Sequence, residues 1–319
     1  MSTLLILIVS FIALLWAANH LVTGAAGLAA FYRISPLIIG LTLVAIGSSV
    51  PQIMVAITAA FEGRSELAIG NAIGANIANI GLVLGLTILL RPLTLKSSLL
   101  RREYPLLFLI MLFSYSLMLD GYLGVMDGCL FLVACLALIV YFVFLARHTK
   151  KSEPLSKEFK QMIHVKRPMK ANLLSLIIGL VILPTSSRFL VDSSVLIARW
   201  LGVSDLVMGL TILAIGTCLP NLATSVVAAV KGQDDIAVGN ILGSNMYNLL
   251  IVMAFPGIIN PSTISHTLLW RDIPVMFIIT FVLLLINYHY KKRIERWHGG
   301  LLLLIYCCYM LSLVFKATF

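Results

Sequence analysis

An all-α integral membrane fold, with ten transmembrane helices arranged as two inverted five-helix repeats, is predicted by three features: composition, the spacing of apolar stretches and an internal duplication. Of 319 residues, 60% are hydrophobic and 11% charged, and the mean hydropathy is +1.03. A soluble domain is roughly 45–50% apolar and about 25% charged. There are too few charges here to cover a water-soluble globule, and the same figures exclude a disordered chain, a collagen and a coiled coil. Cys129, Cys135, Cys218, Cys307 and Cys308 lie in apolar runs without CxxC spacing. They read as small hydrophobes, neither a disulfide framework nor a zinc site. The formal net charge of +10 would suit nucleic acid only on the basic face of a soluble domain. The expected surroundings are instead a lipid bilayer.

A bilayer core about 30 Å thick takes about 20 apolar helical residues per crossing. Ten stretches qualify: 3–31, 34–60, 67–90, 104–119, 126–146, 172–199, 206–230, 236–259, 272–288 and 299–317. The fourth and ninth are short; the first and sixth are long enough to tilt. The first has no basic n-region and belongs to the repeat described below, so it reads as a retained helix and not a cleaved signal peptide.

Loop charge gives the orientation. Arg91, Lys96, Arg101 and Arg102 follow the third stretch. Arg147, Lys150, Lys151, Lys157, Lys160, Lys166, Arg167 and Lys170 follow the fifth, and Lys291, Lys292, Arg293 and Arg296 the ninth. With Arg33 and Lys231, 18 of the 23 Lys and Arg residues share one side. That side is cytoplasmic by the positive-inside rule, which puts both termini on the other face of a cell (inner) membrane.

The basic loop divides the chain into residues 1–146, a first five-helix repeat, the cytoplasmic loop 147–171, and residues 172–319, a second five-helix repeat. The halves match without gaps at an offset of 169, and residues 40–81 share 16 identities over 42 positions with 209–250. GLTLVAIGSSVPQ (40–52) faces GLTILAIGTCLPN (209–221), and Asn71, Asn76 and Asn79 recur as Asn240, Asn245 and Asn248. An odd number of spans per half makes the second copy enter the membrane from the opposite side. Such inverted repeats place a substrate site near the midplane, where interrupted helices of the two copies meet.

The duplicated segments carry the candidate chemistry. Ser35-Pro36 opens the second span as cap and first helical residue, and Ser204-Asp205 plays that part for the seventh. Pro51 and Pro220 are the expected helix breaks: each removes a helical donor, freeing the carbonyls of Gly47 and Gly216 beside the hydroxyls of Ser48, Ser49 and Thr217. A freed carbonyl survives in hydrocarbon only if it is satisfied again or lines a cavity, and oxygen-rich breaks suit a hard cation. Gly70 with Gly74 and Gly239 with Gly243 form small-residue faces for close helix packing. Asn76 and Asn79 share a helix face by spacing, as do Asn245 and Asn248.

These motifs resemble the alpha-repeats of the calcium/cation antiporter superfamily, specifically its bacterial sodium/calcium exchanger-like branch, over essentially the whole chain. The resemblance implies exchange of a divalent cation, typically Ca2+, for Na+ by a secondary antiporter, with no covalent cofactor. By position, its ion-binding roles fall on Ala45, Ser48, Ser49, Gln52, Ala75 and Asn79, and on Ala214, Thr217, Cys218, Asn221, Ser244 and Asn248. The metal-coordinating oxygens would come from Ser48, Ser49, Gln52, Asn79, Thr217, Asn221, Ser244 and Asn248. The departures are pointed. The motif glutamate is Gln52 in one half and Asn221 in the other, a family serine is Ala75, another is Cys218, and an acidic option is Asn248. Asn19 stands where relatives often place Asp.

Calcium affinity rises with the number of charged ligands, so a centre of amides and hydroxyls suits Na+, or K+, better than Ca2+. Nothing at the centre titrates near neutral pH. The nearest ionisable groups are His20, Arg188 and Asp192, the last two spaced as an ion pair. Three functions are open: an exchanger of the calcium/sodium type, an exchanger of monovalent cations only, and a non-transporting scaffold or sensor that keeps the fold. An intramembrane enzyme is not supported, since no HExxH, GxSxG or paired-carboxylate constellation lies in a span.

Overall fold

Residues 2–32, 34–94, 100–148, 168–200, 214–289 and 293–318 are described by a computed structural model. The expected cap Ser204-Asp205, the start of the seventh stretch (206–213) and most of the basic loop (149–167) lie outside them. The described chain is mostly helical. We number its helices α1 (Ser2–Tyr32), α2 (Leu37–Ser48), α3 (Val50–Phe61), α4 (Ser65–Leu90), α5 (Leu100–Met118) and α6 (Val125–His148). They continue as α7 (Met169–Trp200), α8 (Ala214–Val230), α9 (Asp234–Ile259), α10 (Leu268–Tyr288) and α11 (Arg296–Thr318). Six helices are long and apolar enough to cross a membrane, or seven if the bent pair α2–α3 is one span. α5 starts four residues before the apolar stretch at 104 and α10 four before the one at 272, so these helices run past the short hydrophobic segments.

Burial sorts the helices. α1, α6 and α7 expose large apolar side chains such as Leu5, Ile12, Val133, Leu136, Val181 and Phe189, which on a membrane protein is the lipid-facing surface. α4 and α9 are the most enclosed. Small residues make this possible. A methyl group on Gly243 of α9 would sit 2.6 Å from both the Leu41 carbonyl and the Ala45 Cβ of α2, and one on Gly239 would sit 2.8 Å from Leu37 O. The glycine face expected on α9 is therefore a backbone-to-backbone contact. Gly70 and Gly74 meet no described atom within 4 Å; their partners by the repeat, 206–210, fall outside the described residues.

Pro36 is the first helical residue of its segment, and Ser35 O accepts the Ile39 amide at 3.3 Å. The chain bends by 43° between α2 and α3 at Ser49, with Pro51 in the first turn of α3. This is the break expected of the first copy. α8, however, runs through Pro220 without interruption. The sequence also gave no hint that the helical hydrogen bonding widens to a π-helical turn directly after the duplicated asparagines, over Asn79–Leu84 and Asn248–Val252.

Contacts at the ends of α4 and α9 repeat at the same offset. Asp234 at the start of α9 pairs with Arg91 (3.4 Å) and accepts the Thr94 amide (2.8 Å). The equivalent positions, Ser65 and Asn260, bond at 2.6 Å and 3.0 Å. Two minute antiparallel sheets follow suit, β1 (Leu93–Thr94) with β4 (Arg293–Ile294) and β2 (Tyr122–Leu123) with β3 (Ser262–Thr263). The offset carries β1 onto β3, so each sheet joins a linker of one half to a linker of the other.

The close α2–α9 crossing makes a direct test. Gly243→Val has no room without moving backbone, and overpacking of this kind costs about 1–3 kcal/mol. We expect a lower midpoint of thermal unfolding in detergent than for the unsubstituted protein; an unchanged midpoint would contradict this packing.

Candidate functional site

α2–α3, α4, α8 and α9 bring nine polar side chains, most of them duplicated, together where almost no exposed surface remains. Ser48, Gln52, Asn79, Asn221, Asn240, Ser244 and Asn248 are each 0% exposed, and Asn76 and Asn245 1%. A buried amide without partners costs more than its hydrogen bonds return, so such a cluster persists only as a connected network.

The network is built on reciprocity between copies. Asn76 Nδ2 donates to Asn245 O (3.3 Å), and Asn245 Nδ2 donates back to Asn76 O (3.2 Å). Asn79 Nδ2 donates to Asn245 Oδ1 (2.9 Å), matched by Asn248 Nδ2 to Asn76 Oδ1 (3.0 Å). Ser48 Oγ donates to Asn240 Oδ1 (2.7 Å), and Thr217 Oγ1 to Asn71 Oδ1 (3.3 Å). Each bond has its image 169 residues along the chain. The shared face expected of Asn76 and Asn79 holds, since both reach Asn245.

The images diverge where residues differ. Asn221 Nδ2 donates to Asn79 Oδ1 (3.0 Å), and Asn221 Oδ1 accepts Ser244 Oγ (3.1 Å). Gln52, one methylene longer, turns its Nε2 onto Thr217 O (2.7 Å). Ala75 stands opposite Ser244 in the repeat and has no hydroxyl. Gln52 Oε1 and Asn248 Oδ1 are consequently buried without a partner, as is Ser49 Oγ at the bend. The same logic explains Asn71 Nδ2, which has no partner because Ala56 replaces the Ser225 that holds Asn240 Nδ2 at 3.0 Å. Asn221 bonds Asn79, but their repeat images, Gln52 and Asn248, do not bond each other: Gln52 Nε2 is turned onto Thr217 O and Asn248 Nδ2 onto Asn76 Oδ1.

The remaining expected positions fall as follows. Ala45 is fully buried, and its carbonyl oxygen lies 3.2 Å from Ser48 Oγ and 3.4 Å from Ser244 Oγ. Cys218 Sγ lies 3.9 Å from Ala75 O. Ala214 opens α8, with its side chain outside the described atoms. Hydrogen bonds thus join Ser48, Asn79, Asn221, Ser244 and Asn248 in one network and Gln52 with Thr217 and Asn71 in a second group; Ser49 is the chain neighbour of Ser48. Sequence reasoning left Asn71, Asn76, Asn240 and Asn245 off the site, although their duplication marked them; it passed over Ser225 and Ser187, which have alanines as repeat images.

The centre is electrically neutral. Among the described residues no three His, Cys, Asp or Glu side chains gather as a metal site. The buried carboxylates Glu103 and Asp234 lie in the first turns of α5 and α9, where the helix dipole favours negative charge, and Asp272 pairs with Arg271 at 2.8 Å. Arg188 and Asp192 are 3.9 Å apart with side chains 83% and 68% exposed, an exposed ion pair. His20 meets Ser175 at 3.4 Å.

The family model for sodium/calcium exchanger proteins matches residues 2–149 and 171–315. The chain is 43% identical over 304 residues to the protein named CaxA of Alkalimonas amylolytica, covering 95% of each. It is 38% identical to the inner membrane protein YrbG of Escherichia coli, over 93% of this chain and 92% of that one. To the sodium/calcium exchanger MaX1 of Methanosarcina acetivorans it is 29% identical, over 98% of each. Among solved structures it superposes on the sodium-calcium exchanger NCX_Mj with a TM-score of 0.83 at 28% identity, covering 98% of this chain and 99% of that.

The asymmetry of the network predicts unequal costs. Asn221→Leu strands Asn79 Oδ1, about 1–3 kcal/mol when buried and unpaired, and takes from Ser244 Oγ its shortest bond. Gln52→Leu removes an oxygen that has no partner already. Thermal unfolding in detergent should show the larger loss for Asn221→Leu, and equal losses would refute the assignment.

Proposed function

The chain belongs to the sodium/calcium exchanger protein family and is a multi-pass membrane cation antiporter, not an enzyme; from that premise we propose that its carboxylate-free centre exchanges monovalent cations, Na+ foremost. In this reading residues 1–146 and 172–319 are inverted five-helix repeats, ten spans in all, in a bacterial inner membrane with both termini outside.

The carrying observation is the set of unpartnered oxygens, Gln52 Oε1, Asn248 Oδ1 and Ser49 Oγ, in a buried neutral cluster. Oxygen ligands without donors to satisfy them are what a dehydrated cation requires. The cost of dehydration rises with the square of the charge, so a divalent ion needs about four times the compensation of a monovalent ion of its size. Carboxylates supply it in calcium sites; amides and hydroxyls do not. Ser48, Asn79, Thr217, Asn221, Ser244 and Asn248 then hold the ligands in place or coordinate directly, and the helix break at Pro51 keeps Ser49 at the bend. Alternating access follows from near-symmetry, each half taking the arrangement of the other.

Two measurements test this. Proteoliposomes under separate Na+, K+, Ca2+ and H+ gradients should show Na+-dependent flux, abolished by Asn79→Ala or Thr217→Ala; a protein that moves none of these ions is no antiporter. Restoring charge with Gln52→Glu and Asn221→Glu together should raise Ca2+ affinity at least tenfold, about 1.4 kcal/mol. A folded double variant with no gain would remove these positions from the site.

A further inference from the structure

Pro220 has no amide proton, so the carbonyl of Gly216 lacks its helical donor. That oxygen is not left bare. Ser187 Oγ, from α7, lies 3.3 Å from Gly216 O in hydrogen-bonding position, and Ser187 is 1% exposed. The two hydroxyls before it turn back on their own helix, Thr185 to Val181 O and Ser186 to Ile182 O, at 2.7 Å each. Of this run, Ser187 alone reaches across, and it does so onto the carbonyl next to Thr217 and Cys218.

The first copy lacks the device. Its freed carbonyl is Gly47 O, and the repeat image of Ser187 is Ala18, fully buried and with nothing to donate. Leu180 packs over Gly47 in its place. Among the described residues no side chain donates to Gly47 O. The span with the uncapped carbonyl is bent by 43°, and the described part of the one capped by Ser187, Ala214–Val230, is a continuous helix across its proline.

We propose that Ser187 is a selectivity-determining residue that withholds the Gly216 carbonyl from the transported cation, leaving a monovalent ion to be held by first-copy oxygens and Asn248. The inference rests on the cation-binding reading above and assigns the inequality of the two halves to one hydroxyl on α7. Removing that hydroxyl gives the cation an oxygen for which it no longer competes. A typical net hydrogen bond corresponds to about a fivefold change in binding.

Equilibrium binding of radioactive Na+ to the purified full chain tests it. Ser187→Ala should lower half-saturating Na+ about fivefold and steepen the binding curve. Ser187→Thr, which keeps the hydroxyl, should bind as the unsubstituted protein does. Ala18→Ser, which supplies the missing donor to Gly47 O, should weaken Na+ binding, and it decides the matter if Ser187→Ala fails to fold. Unchanged Na+ binding in Ser187→Ala or in Ala18→Ser, with only thermal stability altered, reduces Ser187 to a structural cap and overturns the inference alone. An unsubstituted protein that binds no Na+ overturns both this inference and the reading beneath it.

Discussion

The constraint that organises this molecule is that a polar group far from water must find its partner within the protein. Two prolines remove helical donors, and two sets of asparagines sit in helices that would otherwise be apolar. None of this is tolerable singly. It becomes tolerable because a second copy of the motif presents complementary groups, and the reciprocal bonds between Asn76 and Asn245 are the centre of that arrangement. Glycines on α9 bring the backbones near enough for the rest of the network to close.

Function arises where complementarity fails. Had the copies been identical, every donor and acceptor would have an image and the network could be satisfied throughout. Three alanines break it. Ala75 leaves Gln52 Oε1 unpartnered, Ala56 leaves Asn71 Nδ2 unpartnered, and Ala18 offers nothing to Gly47. All three belong to the first copy, which is also the one whose helix bends. In the second copy the oxygen of Asn221 is occupied, since Asn221 accepts from Ser244 and donates to Asn79, whereas that of Asn248 stays open. A transporter needs binding strong enough to dehydrate an ion and weak enough to release it. Two open oxygens from the first half, on Ser49 and Gln52, and one from the second, on Asn248, are a means to that balance with no formal charge.

Much of this was legible in the sequence. The apolar stretches, the offset of 169 and the paired motifs located the helices and most of the cluster, because membrane spans and duplications are signals that need no tertiary knowledge. The expected break at Pro51 is there. The helical continuity across Pro220 was not foreseen, and neither was the Ser187 hydroxyl beside the Gly216 carbonyl, because that serine has an alanine as its repeat image. The π-helical turns after Asn79 and Asn248 were equally invisible: local spacing predicts an α-helix, and only packing between copies rewards the wider turn. Gly239 and Gly243 pack as their spacing implied.

The most direct measurement is anomalous diffraction from crystals of the protein soaked in parallel with Tl+, a monovalent surrogate, and with Sr2+. The account predicts a Tl+ peak in contact with Gln52, Asn248 and Ser49, and no Sr2+ peak there at the same concentration. An Sr2+ peak at that position, or a Tl+ peak on the Asn221–Asn79 side alone, would contradict it.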